Sequence, residues 1–362
     1  MDGLRLLQAL IQAQSPPGAE GQAAQVVLEA LKGLGLSPTL DEAGNVEAAF
    51  GEGPEVVLTG HLDVVPAGEV SHWPHPPFSG AHVEGWVYGR GAVDMKGPLV
   101  AMLMALERLM ENPKGRLRFL AVVQEEVGGL GSRYAAERLN PKAFILGEPS
   151  QRRLVRGHRG RAEVYVDFEG EEAHAAFSGP ENPLFDLGRA LGFLEEADWP
   201  PTLKVTPTAV YTFPEAHNQT PGVVRLVLDV RFEPVASPKH QKADLEALLA
   251  RLREALPASV YIPEAVRRFG EVEQVIPMVW PPYRLPEDHP LLRAALSALG
   301  QEEAGLWPFT TDAPYLGARA PVLGFGPGDP ALAHTAKEAI RWEEVEAAAM
   351  DYVRLVEALW RS

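Results

Sequence analysis

The sequence predicts an α/β fold with a mostly parallel, mixed sheet, interrupted by a smaller α+β domain. Short β-rich runs alternate with helical stretches over the first 150 or so residues, and this alternation returns after about residue 290. Between them, from about residue 157, the order changes to β-α-β-β-α-β, which is typical of a ferredoxin-like domain. We therefore expect one domain to comprise 1–156 and 276–362, and a second to comprise 157–275.

The elements of the first part follow from residue spacing. Apolar residues recur at helical spacing in 4–12 and 21–34, on either side of the turn sequence SPPG. Three β-rich runs follow: VVLTG (56–60), LRFLAVVQEE (117–126) and AFILGEP (143–149). Between these runs the spacing predicts helices over 95–112 and 132–139.

The interrupting part and the tail are assigned in the same way. In the interrupting part the pattern predicts a strand at 161–170, a helix near 183–196, strands at 208–213 and 223–234, a helix at 242–256 and a short strand within 258–263. In the tail it predicts a helix at 290–299, a strand near 320–326 and an amphipathic helix from about 342 to 360.

Composition excludes several classes of protein. The chain has 49 acidic and 33 basic residues and a net charge of −16, which argues against a general nucleic-acid binder. Since there is no cysteine, any metal must be held by His, Asp and Glu. The longest apolar run, Pro98 to Leu106, is too short to span a bilayer, and the first residues lack the features of a signal peptide. We predict a cytoplasmic protein that does not bind membranes.

Metal-ligand residue types recur just past the predicted strands. They are His61 and Asp63 after the first run, Glu125 and Glu126 at the end of the second, Glu148 at the end of the third, Asp94 before the helix over 95–112, and His334 after the strand near 320–326. Open α/β sheets bind ligands at the carboxyl ends of their strands. Imidazoles and carboxylates without sulfur suit a pair of zinc-like ions, which a carboxylate such as Asp94 can bridge.

The pattern also suggests different roles for the two adjacent glutamates and for Asp63. Because Glu125 and Glu126 are adjacent, their side chains should point in different directions, so that one can bind metal while the other takes a proton from water. Asp63 is placed to orient His61. Taken singly, each of these residues also fits a plain role: Asp94 as a helix N-cap, the two glutamates as a solvated strand end. Their convergence on one sheet edge favours a site.

Longer motifs resemble a known family. They are GHLDVVPAG (60–68), YGRGAVDMKG (88–97), QEEVGG (124–129), GEPS (147–150) and GPGDPALAHTAKE (326–338). In this order they resemble the signature of the M20 metallopeptidase and deacylase family. EEAHAAFSG (171–179) and HNQTPG (217–222) are similar to segments of that family's lid and dimerisation domain. The resemblance implies a zinc-peptidase-like catalytic domain, a lid and a homodimer.

The resemblance also implies roles for individual residues. One divalent ion, zinc or cobalt, would be held by His61, Asp94 and Glu148, and a second by Asp94, Glu126 and His334. Glu125 would be the general base and later the general acid, with Asp63 as the partner of His61. His174 would stabilise the oxyanion in a neighbouring subunit. The substrate's amino-acid portion would be held by Asn218, Arg231 and the loop around Gly326, although a surface ion pair explains Arg231 equally well.

The substrate is narrowed by the same resemblance. Glu148 is typical of deacylases and carboxypeptidase-like members, and the chain most resembles the biosynthetic branch that releases lysine or ornithine from an acyl group or an amino-group carrier protein. The alternatives are acetylornithine deacetylase, succinyl-diaminopimelate desuccinylase and a dipeptidase. A non-catalytic protein that binds amino-acid conjugates is the alternative from another class, and the presence of Glu125 and every ligand argues against it.

Five arginines cluster immediately after Glu148, in the segment QRRLVRGHRGR (151–161), which contains no acid. One interpretation is a hinge whose arginines pair with acidic neighbours. The other is a basic rim that docks a small acidic carrier protein.

Overall fold

A computed structural model describes residues 1–177, 179, 181–233 and 238–362. The chain divides into two compact units. The first comprises Met1–Gly157, Arg267–Gln274 and Tyr283–Ser362, and the second comprises His158–Val266 and Val275–Pro282. This division differs from the expected one at Gly157 and 267–274, which belong to the first unit, and at 276–282, which belong to the second.

The helices of the described residues are α1 (Gly3–Gln12), α2 (Gly21–Gly33), α3 (Gly97–Met110), α4 (Leu130–Arg138), α5 (Pro183–Glu196), α6 (Pro238–Ala255), α7 (Pro290–Leu299), α8 (Ala313–Gly317) and α9 (Trp342–Arg361). Helix boundaries follow local chemistry. The side chain of Asn182 accepts a hydrogen bond from the Leu184 N–H at the start of α5, and Pro183 occupies the first turn. Helix α7 ends at Gly300, which adopts the left-handed conformation (φ 64°) common at helix ends.

The strands up to residue 158 are β1 (Thr39–Leu40), β2 (Val46–Phe50), β3 (Glu55–His61), β4 (Ala81–Val83), β5 (Trp86–Tyr88), β6 (Arg116–Val122), β7 (Ala143–Leu146) and β8 (Val155–His158). Those up to residue 261 are β9 (Gly160–Glu169), β10 (Ala173–His174), β11 (Leu203–Phe213), β12 (Gln219–Thr220), β13 (Val223–Phe232) and β14 (Ser259–Tyr261). The remainder are β15 (Glu264–Phe269), β16 (Val272–Pro277), β17 (Val279–Trp280), β18 (Tyr283–Arg284), β19 (Gly305–Trp307), β20 (Val322–Gly324) and β21 (Ala339–Arg341).

The main sheet of the first unit has the order β1-β2-β6-β3-β7-β20-β8-β18, with β19 beside β8. Its four central strands, β6, β3, β7 and β20, are parallel, and β2 and β8 flank them in antiparallel pairs. The predicted α/β class is confirmed. Helices α1, α2, α3 and α9 contribute buried apolar side chains to the largest core cluster. The carboxyl ends of the parallel strands therefore share one edge, which is where the candidate site lies.

The second unit has the predicted ferredoxin-like order β9-α5-β11-β13-α6-β14. Its antiparallel sheet runs β11-β13-β9-β14, with β17 also paired to β9. Buried residues alternate along β9, so its inner face packs under α5 and α6 in a separate core.

The structure differs from the sequence interpretation in several features, among them the end of β6 and a small sheet. The strand expected over 117–126 ends at Val122, because Gln124 takes a left-handed conformation (φ 57°) and Glu125–Val127 form a single 3₁₀ turn. The small sheet of β21, β5 and β4 was not predicted, since its strands have only three residues each. Within the described ranges, no helix is both long and apolar enough to cross a bilayer.

Candidate metal centre

The predicted ligand residues lie where the parallel strands end. His61 is the last residue of β3, and Glu148 follows β7 by two residues. Glu126 lies in the 3₁₀ turn after β6, and His334 lies in the loop after β20. Asp94 lies in the turn that leads into α3. Parallel pairing of β6, β3, β7 and β20 brings these loops to one edge.

One group of ligand atoms comes from His61, Asp94 and Glu148. His61 Nε2 lies 2.9 Å from Asp94 Oδ1 and 3.9 Å from Glu148 Oε1. The other ring nitrogen, Nδ1, lies 2.8 Å from the Asp63 carbonyl oxygen. All three side chains are buried to about nine-tenths or more.

A second group comes from Asp94, Glu126 and His334. His334 Nε2 lies 3.2 Å from Asp94 Oδ2 and 3.0 Å from Glu126 Oε1. The two oxygens of Asp94 thus face different histidines, one in each group. A carboxylate in this position can bridge two ions.

The donor set fits two cations by its own hydrogen bonding. A carbonyl oxygen can only accept, so His61 Nδ1 carries the proton towards Asp63 and Nε2 presents its lone pair in the neutral ring. That lone pair faces two carboxylate oxygens, which are also acceptors. Glu148 Oε1 is buried without a hydrogen-bond partner. A cation between these atoms would satisfy all of them.

The electrostatics of these side chains point the same way. Burial raises the pKa of Glu148 well above its usual value, and the charge of Asp94 adds to this. Hydrogen bonds to Asp94 and Glu126 raise the pKa of His334 to about 10. Carboxylates that resist ionisation, beside imidazoles that attract protons, describe a site with an excess of negative charge.

Glu125 is a member of neither ligand group. Burial, followed by the charge of Asp312, raises its pKa well above the usual value. Its backbone N–H donates to Asp63 Oδ1 at 3.1 Å, and that of Glu126 donates to Asp63 Oδ2 at 3.0 Å. Asp63 therefore holds the turn that carries both glutamates, in addition to accepting from His61 through its carbonyl. This second contact was not anticipated from the sequence.

Sequence reasoning missed Arg90 and Glu338. The Glu338 carboxylate accepts hydrogen bonds from the backbone N–H groups of Val93 (3.0 Å) and Asp94 (3.1 Å), and it forms a buried ion pair with Arg90. Both side chains are at most 3% exposed. Since Glu338 follows His334 by four residues, it ties the Asp94 turn to the His334 loop. Arg90 lies in the motif at 88–97 and Glu338 in the motif at 326–338, and membership of these motifs was the sequence feature that could have identified them.

Asp312 was also missed. It is 2% exposed, and burial raises its pKa to about 6. It lies against the glycine turn after Glu125, because a Cβ on Gly129 would meet Asp312 Oδ1 at 2.4 Å. Glycine at 129 (φ 77°) is thus required both by conformation and by space. Nothing in the sequence around Asp312, which precedes the five-residue helix α8, indicates that it contacts the turn after Glu125.

The second unit carries His174 and Asn218. His174 ends β10, is exposed and pairs in register with Gln219 of β12. Asn218 is also exposed, and its carbonyl accepts from the Ala175 N–H. The His174 Nδ1 accepts from the Ala176 N–H at 3.1 Å, so the proton of the neutral ring is on Nε2.

Arg231 lies on β13, where it forms an ion pair with Asp229 at 2.6 Å. It also lines a cavity of about 200 Å³ together with Arg159, Lys204 and Glu233. The ion pair and the cavity lining coexist, so both interpretations of Arg231 keep support.

Gly326 lies beside Glu148 in the first unit. A Cβ there would meet the Gly147 and Glu148 carbonyl oxygens at 2.3 and 2.5 Å. Its N–H already donates to Ser150 Oγ at 3.0 Å. The geometry favours a role in packing the Glu148 loop over direct contact with substrate.

The arginines of 151–161 each face an acid. The pairs are Arg152 with Asp351, Arg153 with Glu303, Arg156 with Glu287, Arg159 with Glu233, and Arg161 with Asp229 and Glu163. The Arg153 pair is the loosest, at 4.0 Å with both side chains exposed. These contacts support the interpretation of local ion pairs, and docking of a carrier protein at this segment stays a prediction.

A family model described as Peptidase family M20/M25/M40 matches residues 57–358. The chain belongs to this family. The match covers every residue of both ligand groups and Glu125. This M20 chain is therefore a metal-dependent hydrolase of amide bonds.

Two relatives bear on the branch within the family. A Pyrobaculum aerophilum protein named for LysW-lysine and LysW-ornithine hydrolysis is 34% identical over 374 residues, covering 99% of this chain and 98% of its own. The succinyl-diaminopimelate desuccinylase of Wigglesworthia glossinidia brevipalpis is 28% identical over 280 residues, covering 70% and 74%.

Solved structures share the fold. An M20 family metallo-carboxypeptidase from Sulfolobus solfataricus superposes with a TM-score of 0.77 at 16% identity, covering 100% of both chains. The Bacillus subtilis YXEP protein, described as a dinuclear metal binding peptidase of the M20 family, gives 0.70 at 15% identity, covering 99% of this chain and 96% of its own.

Proposed function

We propose that this enzyme releases lysine or ornithine by hydrolysing the amide that joins it to a carrier protein or to a small acyl group. The observation that carries the proposal is the end-to-end similarity to the Pyrobaculum protein, at 34% identity over 99% of this chain. Desuccinylases match only about 70% of it. The same proposal includes a cytoplasmic location, where acylated amino acids are metabolic intermediates.

The proposed reaction uses two divalent ions, zinc or cobalt, held by the two groups that share Asp94. When bound, such ions would polarise the scissile carbonyl and lower the pKa of the attacking water. Glu125 accepts the proton of the attacking water and returns it to the leaving amine. It belongs to neither ligand group, and the charges of His61, Glu148 and Glu126 act on its carboxyl, which supports this role. Asp63 keeps His61 in the tautomer that binds metal.

His174 is proposed to donate a hydrogen bond to the developing oxyanion. Its Nε2 carries the proton because Nδ1 accepts from the Ala176 N–H, so a donor faces outward from the exposed end of β10. In its proposed role His174 serves the active site of a neighbouring subunit. This requires a dimer.

We assign the interface of the proposed homodimer to a surface of the second unit. Strand β11 lies at the edge of its sheet and exposes Tyr211 (53%) and Phe213 (47%). Helix α5 exposes Phe185 (64%). Apolar side chains beside an open strand edge are typical of an interface. Sedimentation of wild type and of Tyr211→Lys tests the assignment, and a monomeric wild type would contradict it.

Arg231 and Asn218 are proposed to hold the amino-acid portion of the substrate. Arg159, Lys204 and Glu233 line the same cavity as Arg231. Since Arg159 pairs with Glu233 and Arg231 with Asp229, a bound α-carboxylate would share these cations with the two acids. Gly326 is proposed to act indirectly, through the Glu148 loop that it packs against.

The deciding experiment is turnover by the purified, metal-loaded enzyme on acetyl-lysine, acetyl-ornithine, succinyl-diaminopimelate and lysine linked to the terminal glutamate of an acidic carrier protein. We expect the highest kcat/KM on the carrier-linked or acetylated lysine. A preference for succinyl-diaminopimelate would establish the second candidate, which the desuccinylase similarity supports. Binding of every substrate without turnover would establish a non-catalytic member.

A further inference from the structure

Four successive backbone N–H groups hold the turn that carries Glu125 and Glu126. The Val123 N–H donates to Asn45 Oδ1 at 3.2 Å and the Gln124 N–H to Glu20 Oε1 at 3.1 Å. The next two N–H groups donate to the two oxygens of Asp63. The three acceptor residues, Asn45, Glu20 and Asp63, are each 0% exposed. They come from three separate parts of the chain.

Glu20 is one of these three acceptor residues, and its burial is not explained by a helix cap. It occupies the residue before α2, yet its side chain caps nothing in that helix. Its Oε1 accepts from the Gly18 N–H at 2.9 Å as well as from Gln124, while its Oε2 is buried without a partner. Burial raises its pKa to about 7, so keeping a carboxyl here carries a free-energy cost.

The residue that Glu20 holds sets the direction of both glutamates. Gln124 has a φ of 57°, in the left-handed region that a non-glycine residue enters at some cost. Its side-chain amide donates to the Arg268 carbonyl at 3.0 Å. This conformation ends β6 and starts the turn in which Glu126 meets His334 and Glu125 does not.

We propose that Glu20 is a positioning residue for the hydrolytic reaction. Its carboxyl oxygen holds Gln124 in the left-handed conformation and so directs Glu125 to the reacting water and Glu126 to the metal. The inference rests on the proposed role of Glu125 as the base. The alternative is a purely structural role, in which Glu20 only closes the local turn with Gly18 and stabilises the start of α2.

Three substitutions separate these accounts. Glu20→Gln keeps the length and one accepting oxygen but removes the charge, whereas Glu20→Asp keeps the charge but shortens the reach. Glu20→Ala removes both. Glu29→Gln, on the exposed face of the same helix, is the matched control. For each variant, kcat and KM on acetyl-lysine, melting temperature and hydrogen exchange of 123–126 are measured.

We expect Glu20→Asp and Glu20→Ala to lose roughly 10- to 100-fold in kcat, because a displacement of about 1 Å at a catalytic group costs this much. KM should change little, and exchange of 123–126 should accelerate. For Glu20→Gln and for the Glu29→Gln control, kcat and the exchange of 123–126 should both remain near wild type.

Three results would overturn the proposal. The first is that Glu20→Gln fails to fold, and the second is that kcat is higher for Glu20→Asp than for Glu20→Gln. The third is that all three Glu20 variants have lower melting temperatures but unchanged kcat. Glu125→Gln is measured alongside. If it retains turnover, the proposed base is wrong, and the exchange of 123–126 still reports whether Glu20 holds the turn.

Discussion

The candidate functional side chains of the two units differ in how firmly they are held. In the first unit, His61 and Asp94 are in mutual contact and largely enclosed. His61 Nδ1 also contacts the Asp63 carbonyl oxygen, and the Asp94 N–H donates to the Glu338 carboxylate. In the second unit, His174 and Asn218 are exposed, and their recorded hydrogen bonds stay within the β10–β12 region. Metal chemistry needs fixed ligand geometry, whereas groups that contact substrate can remain accessible until it binds. We therefore expect substitution of a ligand, or of a residue that supports one, to weaken metal binding, and substitution of a group that holds no metal, such as Glu125 or His174, to reduce turnover alone.

The largest effect is expected at Glu125. Glu125→Gln should keep both metals and lose about 10²- to 10⁴-fold in turnover, because the amide keeps the shape but cannot accept a proton. Glu126→Gln should instead weaken the site shared with Asp94 and His334. Metal content of the two variants checks this. Loss of metal from the Glu125 variant, with none from the Glu126 variant, would reverse the two roles.

In the second unit, His174→Ala should fold, keep its metals and lose roughly 10²- to 10³-fold in kcat, as expected for an oxyanion donor. Because His174 is exposed, its melting temperature should match wild type. The neighbouring His217→Ala serves as the control, since His217 is exposed and has no proposed role. A kcat near wild type for His174→Ala would remove it from the mechanism.

Glu338 tests whether support behind the ligands matters. Glu338→Gln removes the charge that pairs with buried Arg90 while leaving an acceptor for the Asp94 N–H. Loss of such outer support typically weakens metal affinity about 10- to 100-fold. Titration with zinc against a competing chelator measures this. Affinity equal to wild type, with only a lower melting temperature, would make the Arg90–Glu338 pair purely structural.

The smallest effect is expected at Arg153. Its contact with Glu303 is exposed and 4.0 Å long, so Arg153→Glu should change the free energy of unfolding by less than about 0.5 kcal/mol. KM for carrier-linked lysine and for acetyl-lysine should respond alike at low and high salt. A salt-dependent rise in KM on the carrier-linked substrate alone would support the hypothesis of docking at this segment.

The sequence by itself determined the α/β alternation, the interrupting ferredoxin-like order and the residue types able to bind metal. These properties depend on residues that are close in sequence, namely the spacing of apolar residues and the polar residues at strand ends. Helices α5 and α7 begin and end where predicted because their capping residues and prolines are adjacent in sequence.

Only the tertiary structure decided how the site is supported. Arg90 and Glu338 are 248 positions apart, and Glu20 and Gln124 are 104 positions apart. A hydrogen bond between such distant residues leaves no periodicity in either segment, so spacing could not reveal it. The same reason explains why β6 was expected to extend to residue 126. The left-handed turn at Gln124 depends on buried acceptors that only the fold brings to it.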